Sequence, residues 1–309
     1  MERQSLRLMQ VESASRMTAA HWAMVAQTFI AGTSFSFART ASLEFHPLVL
    51  AFLRLTGSAL IFGVLFFSRG GFNGNRPALS EWLKLCALAF IGITSGQFLF
   101  LFGLKFTTPA SSAVLYAMTP LWVLLLSVAM SKSELLTKRK LLAIVIAISG
   151  GLTALFGSGK SVDFAENAWL GNLITLGAVW CWASYLAFGK KILVKYDAIQ
   201  GTALMMMLGA LMFFPIGIVP TLSFEWSGVS VGAWFGAIWV TVLSSVVAYG
   251  LISFALSKLT PSQISVFMNA QPAIAASVSM IFFGEPFSLL LVVGGALAVT
   301  GIVMLQQER

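Results

Sequence analysis

The sequence predicts an all-α integral membrane protein with ten transmembrane helices arranged as two inverted five-helix repeats. Of the 309 residues, 58% are hydrophobic and only 10% are charged, whereas a soluble domain carries about 25% charged residues. The apolar runs reach the length of about 20 residues that a helix needs to cross a bilayer. One stretch of the first half also recurs in the second half. Together these observations indicate a duplicated membrane bundle.

The recurring stretch occupies residues 107–134, and its counterpart occupies residues 259–285. A shift of 152 residues places the first Pro of each copy on its partner, and likewise the second. A Pro is tolerated at a helix start, where its missing N–H would be unpaired anyway. Inside an apolar run, a membrane bundle can re-satisfy the carbonyl that Pro frees. We therefore expect helix breaks or hinges at four positions: Pro109, Pro120, Pro261 and Pro272.

Ten apolar spans account for most of the chain. They cover residues 20–38, 47–67, 82–104, 109–130, 139–157, 169–189, 199–219, 230–256, 261–283 and 287–305. The polar run 157–167 divides them five and five, so we expect one repeat at 1–157 and the other at 168–309. Because five is odd, the second repeat enters the membrane from the opposite side. Such inverted repeats are typical of alternating-access transporters.

The distribution of basic residues predicts that both termini are cytoplasmic, because cytoplasmic segments carry an excess of Lys and Arg. With the N-terminus inside, the inner segments hold most of the 19 basic residues. These are Arg3, Arg7, Arg16, Arg69, Arg76, Lys84, Lys132, Lys138, Arg139, Lys140, Lys190, Lys191, Lys195, Lys258 and Arg309. The outer segments hold only Arg39, Lys105 and Lys160. The N-terminal stretch lacks the apolar core of a signal peptide.

Several local features carry a family resemblance. They are Phe52-Leu53-Arg54 in span two, Tyr249-Gly250-Leu251 in span eight, Pro272 in mid-span followed by Gly284-Glu285-Pro286, and the Gly-rich final span. With them the chain resembles the EamA-type transporters of the drug/metabolite transporter superfamily, over both halves. The first half is more divergent, since Gln97 stands where the second copy has Tyr249. The resemblance implies an inner-membrane exporter or exchanger of small metabolites, often amino acids, in which spans 1–4 and 6–9 surround a central cavity.

On that architecture we expect a substrate cavity lined by aromatic and amide side chains and one arginine. The candidates are Gln27, Phe35, Arg54, Gln97, Tyr116, Trp182, Tyr185, Tyr249, Asn269 and Gln271. Such a lining suits a zwitterionic or neutral organic solute. A structural interpretation also exists for Asn269 and Gln271, which flank Pro272 and could cap the carbonyl it frees. Trp180 and Trp182 point to different faces of one helix, so at most one of them lines the cavity.

Arg54 is the one charged residue that lies inside a span away from its ends. Leaving it unpaired in hydrocarbon would cost at least about 2.5 kcal/mol, so it must face protein or water. Two interpretations follow. In the first, Arg54 binds a substrate carboxylate or gates the cavity. In the second, it clamps helix-end carbonyls near a Pro break. The family resemblance slightly favours the clamp, because family members with different substrates carry an Arg at this position.

The remaining residues exclude several classes of function. No acidic residue lies deep in a predicted span, so we favour facilitated diffusion or exchange over carboxylate-based proton coupling. Coupling to Na⁺ bound by backbone carbonyls is an alternative. There is no nucleophile–base pair, metal box or phosphate-binding Gly loop, so we expect neither an enzyme nor a metal or cofactor site. Cys86 and Cys181 fall inside spans and are expected to be inert. The net charge of +8 lacks the basic patch with aromatics typical of nucleic-acid binding.

The expected partners are thus a small-molecule substrate and the lipid bilayer, with the chain acting as a monomer or homodimer. Amino acids or related solutes lead as substrates. A nucleotide-sugar or phosphorylated-metabolite exchanger is an alternative, although it would need two or more cavity cations. A non-transporting membrane protein is the alternative from a different class.

Overall fold

A computed structural model describes residues 2–72, 76–130, 137–157, 168–193, 195–256, 258–259, 267–268, 270–284 and 289–306, with side chains from residue 18 onward except at scattered positions. Every regular element in this part of the chain is helical, and ten helices follow the ten predicted spans, which confirms the fold class. Five of them are long and apolar enough, by length and composition, to cross a membrane: 47–68, 79–104, 168–189, 199–222 and 231–252.

The helices are numbered here in chain order. They are α1 (Glu2–Glu44), α2 (Pro47–Ser68), α3 (Leu79–Ala89 and Gly96–Leu104), α4 (Pro109–Ala117 and Thr119–Met130), α5 (Lys138–Gly157), α6 (Ala168–Leu193), α7 (Ala198–Leu222), α8 (Val231–Ile238 and Ala248–Leu256), α9 (Gln271–Phe283) and α10 (Leu289–Gln306). The first helix therefore extends well beyond the apolar span predicted at 20–38, at both of its ends.

Short polar residues explain where several helices begin. A side-chain oxygen just before a helix accepts a bond from one of its first backbone N–H groups, which otherwise have no partner. Thr108 does so for α4, its Oγ1 accepting from the N–H of Ser111 at 3.1 Å. Asp197 does so for α7, accepting from Ile199 and Gln200 at 2.8 and 3.0 Å. These caps set the loop boundaries between neighbouring spans.

Both α3 and α8 contain a π-helical segment, and the two segments occupy equivalent positions of the repeat. In α3 it is Phe90–Ser95, and in α8 it is Trp239–Val247. Each segment contributes a hydroxyl that binds the second helix of the other half. Thr94 Oγ1 donates to the carbonyl of Gly209 on α7 at 2.9 Å, while Ser245 Oγ accepts from Arg54 on α2 at 2.9 Å. Short π segments occur frequently at functional sites.

The described prolines of the two repeated stretches open helical segments instead of lying within them, whereas two prolines of α7 lie inside that helix. Pro109 is the first residue of α4, and Pro120 is the second residue of its second segment, after a break at Met118. Pro272 is the second residue of α9, where the chain turns at the preceding position. Pro261 lies outside the described residues. In contrast, α7 continues through Pro215 and Pro220, which the sequence analysis did not single out.

The contacts between helices follow a pseudo-two-fold pattern. Helix α1 packs on α8 and α9, and its repeat counterpart α6 packs on α3 and α4. Across the two halves, equivalent helices also pair with one another, α2 with α7, α4 with α9 and α5 with α10. This pattern is what two inverted copies of one five-helix unit produce when they pack face to face.

Helices α5 and α10 approach closely at two equivalent glycines. A Cβ on Gly150 would lie 2.3 Å from the backbone nitrogen of Ala298, and a Cβ on Gly301 would lie 2.5 Å from that of Ala147. Neither position tolerates a side chain without moving the partner backbone. Small residues of this kind let membrane helices pack tightly in the absence of a hydrophobic driving force. The α5–α10 pair is thereby a rigid contact between the two repeats.

Equivalent polar contacts also join the halves near both ends of the bundle. At the end of α1, Glu44 accepts bonds from the backbone N–H and the hydroxyl of Ser230, which caps α8, at 2.7 and 2.6 Å. These two hydrogen bonds lower the pKa of Glu44 below its ordinary value, the bond from the Ser230 hydroxyl having the larger effect and the bond from its N–H the smaller. After α6, Lys195 pairs with Glu81 in the first turn of α3. At each end of the bundle, therefore, the first helix of one repeat meets the third helix of the other repeat.

Candidate functional site

A cavity of about 120 Å³ lies between the two repeats, enough for about four water molecules at the density of liquid water. Helices α1, α2, α3, α4, α6, α8 and α9 form its wall, while α5 and α10 contribute no residue to the described lining. The lining comprises Gln27, Ala31, Ser34, Phe35, Arg54, Gly92, Gly96, Gln97, Phe100, Tyr116, Trp182, Ser244, Ala248, Tyr249, Ile252, Met268 and Gln271. This central position is where inverted-repeat transporters place their substrate sites.

The structure brings most of the sequence-predicted residues together in this one wall. Eight of them line the cavity: Gln27, Phe35, Arg54, Gln97, Tyr116, Trp182, Tyr249 and Gln271. Tyr185 is not part of the lining; it lies behind it, stacked on Trp182 with ring centroids 5.2 Å apart. Asn269 lies outside the described residues. Trp180 is 47% exposed, so it faces away and Trp182 is the tryptophan of this helix that reaches the cavity.

Arg54 is buried in the wall with only 4% of its surface exposed. Its Nε donates to Ser245 Oγ at 2.9 Å, and that hydroxyl in turn donates to the carbonyl of Val240 at 2.9 Å. Its guanidinium also lies 5.4 Å from the ring centroid of Phe100. Nη1 has no hydrogen-bond partner among the described residues. The arginine is therefore anchored at one nitrogen, leaving donor capacity at another.

Gln97 and Tyr249 bond to each other across the pseudo-two-fold axis. They occupy equivalent positions in α3 and α8, 152 residues apart, and Gln97 Nε2 donates to Tyr249 Oη at 3.1 Å. Each side chain thus ties its own repeat to the other. Because the partners belong to opposite halves, any relative movement of the repeats must stretch or remake this bond.

Aromatic rings form two groups in the wall. Phe35, Phe100 and Tyr116 meet edge to face, with centroids 5.4 to 5.6 Å apart. Trp182 meets Tyr249 edge to face at 5.7 Å. Such arrangements are favourable for aromatic quadrupoles and hold each ring in place. The cavity therefore has a rigid, largely apolar surface with a few polar groups inserted in it.

The sequence analysis missed four small residues that belong to the lining. Gly92 and Gly96 of α3 correspond, at the 152-residue shift, to Ser244 and Ala248 of α8, and all four line the cavity. A Cβ on Gly92 would lie 2.5 Å from Cβ of Tyr185. Their equivalence under the repeat was visible in the sequence and is the signal that could have found them. It was not used because small residues in a span usually indicate helix packing.

Three lining side chains carry buried polar atoms that have no hydrogen-bond partner among the described residues. They are Nη1 of Arg54, Oε1 of Gln27 and Nε2 of Gln271. An unpaired buried polar group costs about 1–3 kcal/mol, so its presence in a wall requires a physical reason. Seven further buried side-chain atoms away from the lining also lack a partner among the described residues, so missing bonds alone do not single out the cavity.

A match to a family model decides what kind of protein surrounds this cavity. The model of the EamA-like transporter family matches residues 18–156 and again residues 169–306. The chain belongs to the EamA-like transporter family. The duplicated match confirms the resemblance seen in the sequence and agrees with the two five-helix units of the structure.

Individual EamA-like relatives agree with this assignment. The "Threonine/homoserine exporter RhtA" of Escherichia coli is 31% identical over 212 residues, 66% of each chain. An "Uncharacterized transporter" of Archaeoglobus fulgidus is 26% identical over 88% of this chain and 91% of its own length. A "Probable terminal-alkyne amino-acid exporter" of Streptantibioticus cattleyicolor is 21% identical over 95% of both chains. These relatives are transporters and not enzymes.

A solved crystal structure is among those that share the fold. It matches with a TM-score of 0.62 and 16% identity, covering 94% of this chain and 95% of the other. At that identity the likeness concerns the fold alone. Family, relatives and apolar helices together make this EamA-like chain a multi-pass membrane transporter of the small-metabolite exporter type.

Proposed function

We propose that this EamA-like transporter exports amino acids or related carboxylate-bearing solutes across the inner membrane by alternating access around the central cavity. Both termini would be cytoplasmic, as the distribution of Lys and Arg favours. The proposal rests above all on Arg54, a buried cation in the cavity wall whose Nη1 has no partner among the described residues. A substrate carboxylate is a suitable acceptor, because arginine forms strong charge-assisted bonds with carboxylates.

The charge balance of the lining supports this substrate class. Among the described lining residues, Arg54 is the sole cation, and none is Asp, Glu or His. A nucleotide sugar or phosphorylated metabolite carries two or more negative charges and would leave some of them uncompensated in a low-dielectric site. A cationic solute would meet Arg54 with no acid to offset the repulsion. A monoanion or a zwitterion fits best.

The aromatic faces supply the rest of the site for a zwitterion. The ammonium group of an amino acid adjoins its carboxylate, so it would lie near Tyr116 and Phe100 when the carboxylate binds Arg54. A cation over an aromatic face gains about 0.5–2 kcal/mol. Exchange or facilitated diffusion then requires no carboxylate or histidine to carry a proton, and the described lining contains no Asp, Glu or His.

Counterflow tests the proposal. Proteoliposomes are preloaded with unlabelled amino acids, and uptake of each labelled amino acid is measured for wild type, Arg54→Ala and Arg39→Ala. Arg39 is the matched control, because it bonds the carbonyl of Leu104 and is not among the described lining residues. We expect accumulation with wild type and Arg39→Ala and a loss of roughly tenfold or more with Arg54→Ala, since bonds to charged groups contribute about 1.5–3 kcal/mol.

Two other results would count against it. Full activity of Arg54→Ala would make Arg54 a structural clamp and remove it from the site. No accumulation of any amino acid by folded wild-type protein would overturn the amino-acid substrate, and nucleotide sugars would then be tested in the same assay.

A further inference from the structure

Arg54 is held in the cavity wall by a serine of the other repeat. Its Nε donates to Ser245 Oγ at 2.9 Å, and that hydroxyl donates its own proton to the carbonyl of Val240 at 2.9 Å. Because a hydroxyl has one proton, the bond to Val240 leaves only lone pairs for the arginine. Ser245 is 1% exposed and is not among the described lining residues, so its influence on the cavity passes through Arg54.

The bond from Ser245 to Val240 depends on the π-helical segment of α8. In an α-helix, a serine or threonine hydroxyl reaches a carbonyl three or four residues earlier, as Thr241 does with Ala237 at 2.7 Å. Ser245 instead reaches five residues back, within the π segment. The local helix geometry therefore sets the direction in which Ser245 presents its oxygen to Arg54.

The other half of the bundle makes the equivalent contact with apolar side chains. At the 152-residue shift, Arg54 corresponds to Met206 and Ser245 to Ile93. Met206 and Ile93 are 1% and 0% exposed, and a Cβ on Gly209 of α7 would lie 2.6 Å from Cγ2 of Ile93. Apolar residues therefore suffice to pack α7 on α3. Since burying a cation is costly, the polar pair between α2 and α8 has a reason beyond packing.

Fixing one nitrogen of a guanidinium fixes the others, because the group is planar and carries its N–H donors in a rigid fork. The bond from Nε to Ser245 and the ring of Phe100, whose centroid lies 5.4 Å from the guanidinium carbon, restrict the orientation of Arg54. Donors that are held in place before a ligand arrives lose less conformational freedom when they bind it. Arg54 is therefore oriented before an anion reaches it.

We propose that Ser245 is a positioning residue for the substrate carboxylate: it fixes the orientation of Arg54 and does not itself touch the solute. The inference rests on the proposed function, in which Arg54 binds that carboxylate. Without the Ser245 hydroxyl the cation remains in the wall, but its donors are no longer held in one direction. A residue of the second repeat thereby controls how tightly a cation of the first repeat binds substrate.

The kinetics of Ser245 variants test the inference. Counterflow is measured with the amino acid that wild-type protein exchanges fastest, and half-saturation and maximal rate are determined separately. Ser245→Ala should raise the half-saturation concentration about tenfold, roughly the effect of one hydrogen bond to a charged group, while the maximal rate changes less than about twofold. Ser245→Thr keeps the hydroxyl and should retain wild-type half-saturation. Ser245→Cys, which is similar in size but a weak acceptor, should behave like Ser245→Ala.

Thr94→Val is the matched control. Thr94 lies in the π segment of α3, and its hydroxyl also bonds the second helix of the other half, donating to the carbonyl of Gly209 at 2.9 Å. Its partner is a backbone carbonyl instead of a cation, and Thr94 is not among the described lining residues. Thr94→Val should lower the unfolding temperature and leave the half-saturation unchanged.

A double-mutant cycle shows whether Ser245 acts through Arg54. Arg54→Met introduces the residue type of the repeat counterpart, and Ser245→Ala is then added to it. In that background Ser245→Ala should change the half-saturation by less than about twofold, because there is no guanidinium left to orient and the two effects are not additive. An effect of Ser245→Ala that persists in full in Arg54→Met would overturn the proposal. So would wild-type half-saturation in folded Ser245→Ala and Ser245→Cys.

Failure of the proposed function is distinguishable. If folded wild-type protein exchanges no amino acid, the proposed function falls. Thermal stabilisation of the detergent-solubilised protein is then measured with sodium propionate, a simple carboxylate, against sodium chloride at equal ionic strength. Stabilisation of wild type and Ser245→Thr that is absent from Ser245→Ala and Arg54→Met would support the positioning role. Equal stabilisation of all these proteins by propionate, or none, would overturn it.

Discussion

At the cavity, hydrogen bonds between single side chains join the two repeats. Gln97 and Tyr249 are repeat equivalents that bond to each other at 3.1 Å, and Arg54 bonds Ser245 of the other half at 2.9 Å. Both bonds involve buried or partly buried polar atoms, and leaving such an atom without a partner is costly. At this scale, each contact between the halves is a single hydrogen bond.

Tyr249→Phe is expected to slow exchange several-fold and to lower the free energy of unfolding by about 1 kcal/mol, because it leaves Nε2 of Gln97 without its acceptor. Initial counterflow rates and thermal unfolding measure the two effects. Tyr196→Phe is the control, since Tyr196 is also buried but is not among the described lining residues. An unchanged exchange rate in Tyr249→Phe would show that the bond does not take part in transport.

At the scale of helices, the bundle divides into elements that build the cavity and elements that do not. Helices α3 and α8 change from α- to π-helical geometry where they line it. Helices α4 and α9 begin new segments there, each with Pro as the second residue. In contrast, α5 and α10 are described as uninterrupted helices that pack on each other. The irregular geometry is concentrated where the solute would bind.

Gly150→Val tests this division. Its Cβ would lie 2.3 Å from the backbone nitrogen of Ala298, so α5 and α10 must move apart, at a cost of about 1–3 kcal/mol. We expect a lower unfolding temperature with unchanged half-saturation for any transported solute. Gly250→Ala, a helical glycine with nothing within 4 Å of the added Cβ, should not lower the unfolding temperature. A changed half-saturation at unchanged stability would contradict the peripheral role of α5.

At the scale of the whole molecule, equivalent elements join the halves at both ends of the bundle. Glu44 and Ser230 join α1 to α8, beside an aromatic cluster in which the rings of Phe45 and Trp234 lie 5.2 Å apart. Lys195 and Glu81 make the corresponding contact between the end of α6 and α3. Rocking of one half on the other would open one of these contacts while the other remains closed.

Cross-linking tests that movement. In a background of Cys86→Ala and Cys181→Ala, Glu44→Cys and Ser230→Cys are joined by a short, reducible bifunctional thiol reagent. Because the halves must separate at this end once per cycle, cross-linking should reduce exchange to background, and reduction should restore it. Glu44→Cys alone, treated identically, is the control. Full exchange with complete cross-linking would show that the halves stay together at this end.

The sequence predicts the helices and most of the cavity lining, but not the local helix geometry or the position of every lining candidate. The ten spans, the duplication and eight of the ten candidate cavity residues followed from apolar length, the 152-residue shift and the family resemblance. The π segments in α3 and α8 did not, because π geometry depends on tertiary hydrogen bonds such as Thr94 to Gly209. Tyr185 was assigned to the lining since it is aromatic and central, yet it packs behind Trp182 against Gly92.

The sequence by itself determined that this chain is a duplicated membrane bundle, because hydrophobic length and internal repetition are properties of the chain in one dimension. Only the tertiary structure decided which side chains face one another. It joined Gln97 to Tyr249 and Arg54 to Ser245 and left Gln27 and Gln271 with unpaired atoms in the cavity wall. These relations depend on how helices from opposite halves rotate and pack, which no local pattern encodes.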